Sequence, residues 1–153
     1  MVARPRKIKL ALTGIILLLL ALLSTACTPD PPKTLTGAEK DAVLGYSEKI
    51  ADNLLSGYNS ADYATFALDM NDTMKKTLTE DYFKKNIIGS VFSKVGKYES
   101  RTVESVLQTR KYVTVVYNAK FSGDDPVVVR VSLDPAGAHQ ISGLWFDSVN
   151  LRK

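Results

Sequence analysis

Apolar residues recur at helical spacing before Gly96 and at alternate positions after it. The first helical stretch begins at Thr36, because Thr36 and Glu39 have the spacing of a capping box, and it ends at Gly57. Its apolar residues recur every three to four positions, which predicts an amphipathic helix. That face consists of Val43, Ser47, Ile50 and Leu54, with Ala51, Leu55 and Tyr58 beside them.

Two further helices are predicted before Gly96. Ser60 has a side chain suited to cap a short helix that continues through Phe66 and Leu68. Thr79, followed by two acidic residues, caps a third helix that runs to Val95, and Gly96 is a natural stop. The apolar stripe of this third helix consists of Phe83, Ile87, Val91 and Val95, widened by Ile88 and Phe92.

Residues after Gly96 alternate between apolar and polar, which is typical of strands with one buried face. Four strands are predicted, over residues 97–108, 112–121, 127–133 and 140–149. Their short connections indicate antiparallel neighbours. The order of helices followed by a meander predicts the α+β class, with N-terminal helices packed on a curved four-stranded antiparallel sheet.

The N-terminal residues have the composition of a secretory signal peptide. Four basic residues precede an apolar run over 10–23, and small residues lead to Cys27, the only cysteine. The segment resembles the lipobox of prokaryotic lipoproteins, in which the signal is cut before a cysteine that receives a diacylglyceryl group. The resemblance implies a lipidated Cys27 and a protein held at the cell membrane, facing outside the cytoplasm. The alternative is a single uncleaved membrane anchor, because residues 10–26 are about long enough to cross a bilayer core, which needs ~17–25 residues.

This interpretation divides the chain into a signal peptide (1–26), a lipidated cysteine with a Pro-rich tether (27–36) and a folded domain (37–153). Three prolines in 28–36 favour an extended spacer. The formal charge of +4 belongs to the signal, because removing its four basic residues leaves 16 basic and 16 acidic residues. The near-neutral mature chain therefore gives no argument for nucleic acid as a partner.

Two short motifs resemble the DUF3887 family of the NTF2-like (cystatin-like) superfamily. They are Met-Lys-Lys-Thr-Leu-Thr at 74–79 and Ile-Ser-Gly-Leu-Trp-Phe at 141–146. The resemblance covers roughly residues 37–149 and implies a cone-shaped domain. The family includes secreted and lipid-anchored proteins and modules fused to α/β-hydrolases, and it offers no agreed catalytic residues. Superfamilies of this kind often dimerise through the sheet, so the resemblance also implies a candidate homodimer.

Catalytic chemistry has little support in the sequence. No Gly-rich phosphate loop or paired-cysteine zinc motif is present, so we predict no metal and no cofactor. The only histidine, His139, lies beside a turn and is expected to be exposed. Asp69 or Asp147 would serve as an acid or base in a cone cavity only if its carboxyl pKa were raised.

Aromatic residues are the candidates for a binding site. Tyr63, Phe66, Tyr82, Tyr117 and Trp145 are placed to line the mouth of the cone, although core packing is the role we favour for them. We expect a tethered module that binds a small apolar ligand or a protein partner. The alternative is a small isomerase, dehydratase or hydrolase with a carboxylate in the cone. A filled cone with an apolar patch outside would favour the module.

Overall fold

The computed structural model describes residues 31–153, so the predicted signal peptide and Cys27 lie outside the described residues. The elements are β1 (Lys33–Thr34), α1 (Gly37–Ser60), α2 (Tyr63–Phe66), α3 (Asp72–Thr77), α4 (Glu80–Tyr82, Phe83–Phe92 and Ser93–Val95), β2 (Tyr98–Gln108), β3 (Val113–Phe121), β4 (Asp124–Leu133) and β5 (Ile141–Asp147). None of the helices within 31–153 combines the length and the hydrophobicity that crossing a bilayer requires.

Five strands form one antiparallel sheet in the order β1-β2-β3-β4-β5. The predicted α+β class is confirmed, with one strand more than the four expected. The additional strand β1 pairs Lys33 with Gln108 and Thr34 with Leu107. This strand lies in the segment predicted to be a spacer. It was not predicted because a strand of two residues is too short to show an alternating pattern.

Helix α1 buries the predicted face but continues past Gly57 to Ser60. A Cβ at Gly57 would lie 2.2 Å from the backbone nitrogen of Phe66, so this glycine lets α2 approach α1 closely. The helix ends instead at Ala61, which has a left-handed φ of 53° and donates its N–H to carbonyls of the last turn. The prediction that Gly57 ends the helix was therefore wrong.

Helix caps also differ in part from the prediction. Asp62, not Ser60, caps α2 by accepting two backbone N–H groups of that helix. Thr36 occupies the N-cap position of α1 but makes no side-chain cap bond. Glu39 is paired with Lys33 at 2.7 Å, which draws it away from the capping box and toward β1.

Helix α4 begins and ends where the sequence indicated. Thr79 accepts the N–H of Tyr82 at 3.3 Å, and Gly96 terminates the helix with a φ of 79°. Its central part, Phe83–Phe92, is a π-helix. Hydrogen bonds in a π-helix join residues five positions apart, so each turn holds more residues than a turn of α-helix. A four-residue apolar repeat therefore stays close to one face of this helix.

Candidate interaction groove

An open apolar groove lies between α4 and the edge strand β5. It encloses about 250 Å³ and is lined by Leu78, Tyr82, Ile87, Val91, Leu144, Trp145 and Phe146, which we call the α4–β5 groove. Tyr82 is 46% exposed and Trp145 is 60% exposed. Large apolar side chains grouped on an exposed surface are typical of interaction sites rather than of core packing.

Successive side chains of β5, the strand beside this groove, lie on opposite faces of the sheet. Leu144 pairs with Val131 and Phe146 pairs with Val129, so both lie on the core face of the sheet. Trp145 lies between them in sequence and therefore on the opposite face. Leu144 and Phe146 thus form the strand wall of the groove, while the side chain of Trp145 lies exposed on the other face of the same edge strand.

The outer edge of β5 is covered only at its start. Ile141 donates its N–H to the carbonyl of Asp69 at 2.7 Å, and Asn71 donates to the carbonyl of Ile141 at 3.0 Å. Within residues 31–153, no further backbone bond reaches positions 143–147 from that side. An edge of this kind presents unpaired N–H and C=O groups that another strand can use.

The structure divides the five predicted aromatic site residues. Tyr82 and Trp145 are among the residues that line the α4–β5 groove. Phe66 and Tyr117 are fully buried in the core, which is the role favoured for them from the sequence. Tyr63 is half-buried behind the groove wall, where it donates its hydroxyl to the carbonyl of Leu78 at 2.9 Å.

Sequence reasoning did not single out the aliphatic part of the groove. Ile87 and Val91 were recognised only as part of the apolar stripe of α4, and Leu78 and Leu144 only within motifs. The signal that could have indicated the groove is the width of the apolar stripe on α4, which is broader than packing against one neighbouring element requires. Which part of the stripe stays uncovered depends on where β5 lies.

Large side chains fill the space between the helices and the sheet. Tyr58, Phe66, Phe83, Tyr117 and Phe121 are each less than 2% exposed. Phe66 and Phe83 pack with ring centroids 4.5 Å apart, and Tyr58 meets Phe121 edge-on at 5.5 Å. Burial raises the pKa of Tyr58, whose hydroxyl donates to the carbonyl of Gly96 at 2.9 Å.

A polar cluster fastens α1 to β2 and β3. The guanidinium of Arg101 lies 2.8 Å from Glu48 and 2.7 Å from Asp52, and it donates to the hydroxyl of Tyr98 at 3.1 Å. It also lies 5.2 Å from the ring centroid of Tyr117, whose hydroxyl donates to Glu48 at 3.0 Å. We call these five residues the Arg101 cluster.

Arg101 is held in its charged form. Its side chain is only 9% exposed, and this burial by itself would lower its pKa. Hydrogen bonds to Asp52, Tyr98 and Glu48 outweigh the burial, so the pKa is raised. Because the guanidinium already has carboxylate partners, the cluster acts as a structural fastening between the helix and the sheet.

The candidate acid–base residues are engaged elsewhere. Asp69 accepts a hydrogen bond from Asn53 at 2.8 Å. Asp147 accepts one from Arg152 at 2.8 Å, and this bond lowers its pKa, which is opposite to what a general acid at neutral pH requires. Within residues 31–153, no three His, Cys, Asp or Glu side chains are grouped to hold a metal ion.

His139 is not the exposed residue expected from the sequence. It is half-buried, with a positive φ of 49°, and its ring stacks on Tyr46 with centroids 3.9 Å apart. Its Nδ1 lies 3.2 Å from the carbonyl oxygen of Asp134. These contacts secure the β4–β5 turn against the start of α1.

A family model described as a protein of unknown function, DUF3887, matches residues 51–138. The chain belongs to the DUF3887 family. The match begins inside α1 and ends in the β4–β5 turn, so the strand wall of the α4–β5 groove lies outside the matched residues. The α+β architecture fits the NTF2-like superfamily, and that wider relationship stays a prediction.

No curated protein and no solved structure matches this chain.

Proposed function

We propose that this protein is a lipid-anchored interaction module, held outside the cytoplasm, that binds an extended segment of a partner protein in the α4–β5 groove. The observation that carries the proposal is the combination of an unpaired strand edge at 143–147 with an apolar groove beside it. Strand addition uses this combination, since the edge supplies backbone hydrogen bonds and the pockets select alternate side chains.

The dimensions of the groove favour a peptide segment over a small molecule. Its volume of about 250 Å³ is below the ~300–1,000 Å³ of typical small-ligand pockets. Tyr82 beside the groove and Trp145 on the outer face of β5 are both exposed and do not enclose a cavity. Tyr and Trp in such positions are enriched among residues that dominate protein–protein binding energy.

The filled interior argues against the enzymatic alternative. Tyr117 and Phe121 are buried and pack as core residues between the helices and the sheet. Asp147, one of two carboxylates considered for acid–base work, has a lowered pKa. A filled cone with an apolar patch outside is the arrangement expected of a partner-binding module.

The membrane anchor is the second part of the proposal, and it rests on the lipobox-like sequence ending at Cys27. Mass spectrometry of the mature protein from its native envelope tests it. We expect the first residue to be Cys27 carrying a diacylglyceryl group, and Cys27→Ser to leave the signal uncleaved. A chain cut elsewhere, or a mature Cys27 without lipid, would disprove the anchor.

Site-specific photo-crosslinking in the full chain tests the groove. A photoreactive phenylalanine analogue replaces either Tyr82 in the groove or Tyr112 in the β2–β3 turn, two tyrosines that are 46% and 44% exposed. We expect a discrete protein adduct from position 82 that position 112 does not form and that Trp145→Ala abolishes. Equal adducts from both positions, or an adduct indifferent to Trp145→Ala, would refute the groove. An adduct with the mass of a dimer would identify a second copy as the partner.

A further inference from the structure

The segment that leads into the domain leaves the sheet beside the β2–β3 turn, residues 109–112. Lys33 pairs with Gln108, the last residue of β2. Leu35 is buried and donates its N–H to the carbonyl of Val106 at 2.8 Å. Residue 33 is thus fixed at this end of the sheet, and only residues 28–32 separate it from Cys27.

The length of this connection limits how the domain is oriented on its anchor. Six residue steps from Cys27 to Lys33 span about 19 Å at ~3.1 Å per residue. The other end of β2, at Tyr98, lies ten steps from Gln108, or about 33 Å at ~3.3 Å per residue. The tether is shorter than the strand, so it holds the Gln108 end of the sheet toward the membrane.

The β2–β3 turn has the chemistry of a membrane contact. Arg110 and Lys111 are exposed, and Tyr112 beside them is 44% exposed. The hydroxyl of Thr109 accepts the N–H groups of Lys111 and Tyr112 at 3.2 and 3.1 Å, which gives the turn a defined shape. Tyrosine is enriched at membrane–water interfaces, and basic residues near a surface are attracted to anionic lipids.

The neighbouring β4–β5 turn lies at the same end, because Val113 pairs with Leu133 and Leu133 pairs with Ile141. Its exposed residues 135–138 are Pro-Ala-Gly-Ala and carry no charge. The carboxylate of Asp134 accepts a hydrogen bond from Asn71 at 3.1 Å. This second turn therefore adds an uncharged surface beside the basic one.

We propose that the β2–β3 turn rests on an anionic phospholipid surface and orients the domain on its anchor. The inference rests on the proposed lipidation of Cys27. Two basic residues bind a membrane weakly by themselves, but the anchor keeps them at the surface, so they act mainly on orientation. Trp145 then lies four residues along β5 from Ile141, about 13 Å above this end, and the groove opens sideways to a partner.

Fluorescence quenching by brominated lipid tests this orientation. The mature lipoprotein is reconstituted into vesicles of phosphatidylglycerol and dibromo-phosphatidylcholine. Trp145 is the only tryptophan, so the unaltered chain reports on the groove, and the double variant Tyr112→Trp with Trp145→Phe reports on the turn. We expect several-fold stronger quenching at position 112 than at Trp145.

Charge reversal supplies the matched control. Lys111→Glu in the turn should reduce the quenching at position 112, whereas Lys97→Glu at the opposite end of β2 makes the same charge change and should not. Equal quenching at positions 112 and 145 in lipidated protein, or equal effects of the two reversals, would overturn the orientation and leave the anchor standing. Absence of lipid on Cys27 in the mass spectrum would overturn both.

Discussion

The two flanks of the sheet are closed in different ways. On the β2–β3 flank, the Arg101 cluster fastens α1 with ion pairs of 2.7 and 2.8 Å around a guanidinium that is 9% exposed. On the β5 flank, apolar side chains of α4 and β5 line an open groove, and Tyr82 and Trp145 are exposed to water. The comparison teaches that the conspicuous charged cluster is engaged in ion pairs within the fold, whereas the plain apolar flank is the one left available for binding.

The largest effect is expected at Gly57, where α1 packs closely against α2. A Cβ at this position would lie 2.2 Å from the backbone nitrogen of Phe66, and backbone cannot move aside as a side chain would. Gly57→Ala should therefore lower the free energy of unfolding by about 3 kcal/mol. Gly45→Ala on the same helix is the control, since nothing lies within 4 Å, and it should stabilise by about 0.5–1 kcal/mol. If urea unfolding showed that both substitutions change the free energy of unfolding in the same direction, this packing would be contradicted.

Removing the central cation of the fastened flank should have the next largest effect. Arg101→Ala removes the cation that Glu48 and Asp52 share and the donor to the Tyr98 hydroxyl, although Glu48 keeps its hydrogen bond from Tyr117. The loss should cost about 2–3 kcal/mol of unfolding free energy. Arg152→Ala removes an exposed arginine from an ion pair on the β5 flank and should leave thermal unfolding almost unchanged. Similar losses in both variants would show that the two flanks are not held differently.

Trp145 should separate binding from stability. Because its side chain is 60% exposed, Trp145→Ala should change the free energy of unfolding by less than about 1 kcal/mol. Phe83→Ala, in the buried part of α4, should cost about 3–5 kcal/mol. Affinity for the captured partner should fall at least about tenfold with Trp145→Ala, as for a hot-spot residue. Equal losses of unfolding free energy in Trp145→Ala and Phe83→Ala would contradict the distinction between an exposed binding residue and a core residue.

The smallest effect concerns pH and Asp147 on the open flank. The hydrogen bond from Arg152 lowers the pKa of Asp147 below its ordinary 3.8. A lowered folded-state pKa stabilises the fold above the unfolded-state value, and that stability is lost as the pH falls through the folded-state value. Asp147→Asn should therefore be slightly less stable than the unaltered chain at pH 7 and equal to it in strong acid. A thermal unfolding difference that grew on acidification would have the wrong sign.

The sequence predicted elements whose local pattern and tertiary role agree. The alternation of Val113, Val115 and Tyr117 located β3 and its buried face, and Thr79 located the start of α4. Element ends were less predictable where the deciding contact is distant in sequence. A glycine after an apolar stripe is typical of a helix end, but Gly57 lies inside α1, where the lack of a side chain lets Phe66 approach closely.

The candidate site could be predicted only in part for the same reason. Tyr82, Tyr117 and Trp145 are all aromatic residues flanked by apolar positions, and nothing local distinguishes the exposed ones from the buried one. Burial of Tyr117 follows from α1, which covers the inner face of β3 and brings Glu48 to its hydroxyl. Exposure of Trp145 follows from its place on the edge strand.

By itself, the sequence determined the α+β class, the family, the order of the longer elements and most of the positions that face the core. These follow from periodicity and short motifs, which act between residues close together in the chain. Only the tertiary structure decided that β1 joins the sheet, that Arg101 fastens α1, and that α4 and β5 leave a groove between them. Each of these depends on which surfaces meet across long separations in sequence, and local spacing carries no information about that.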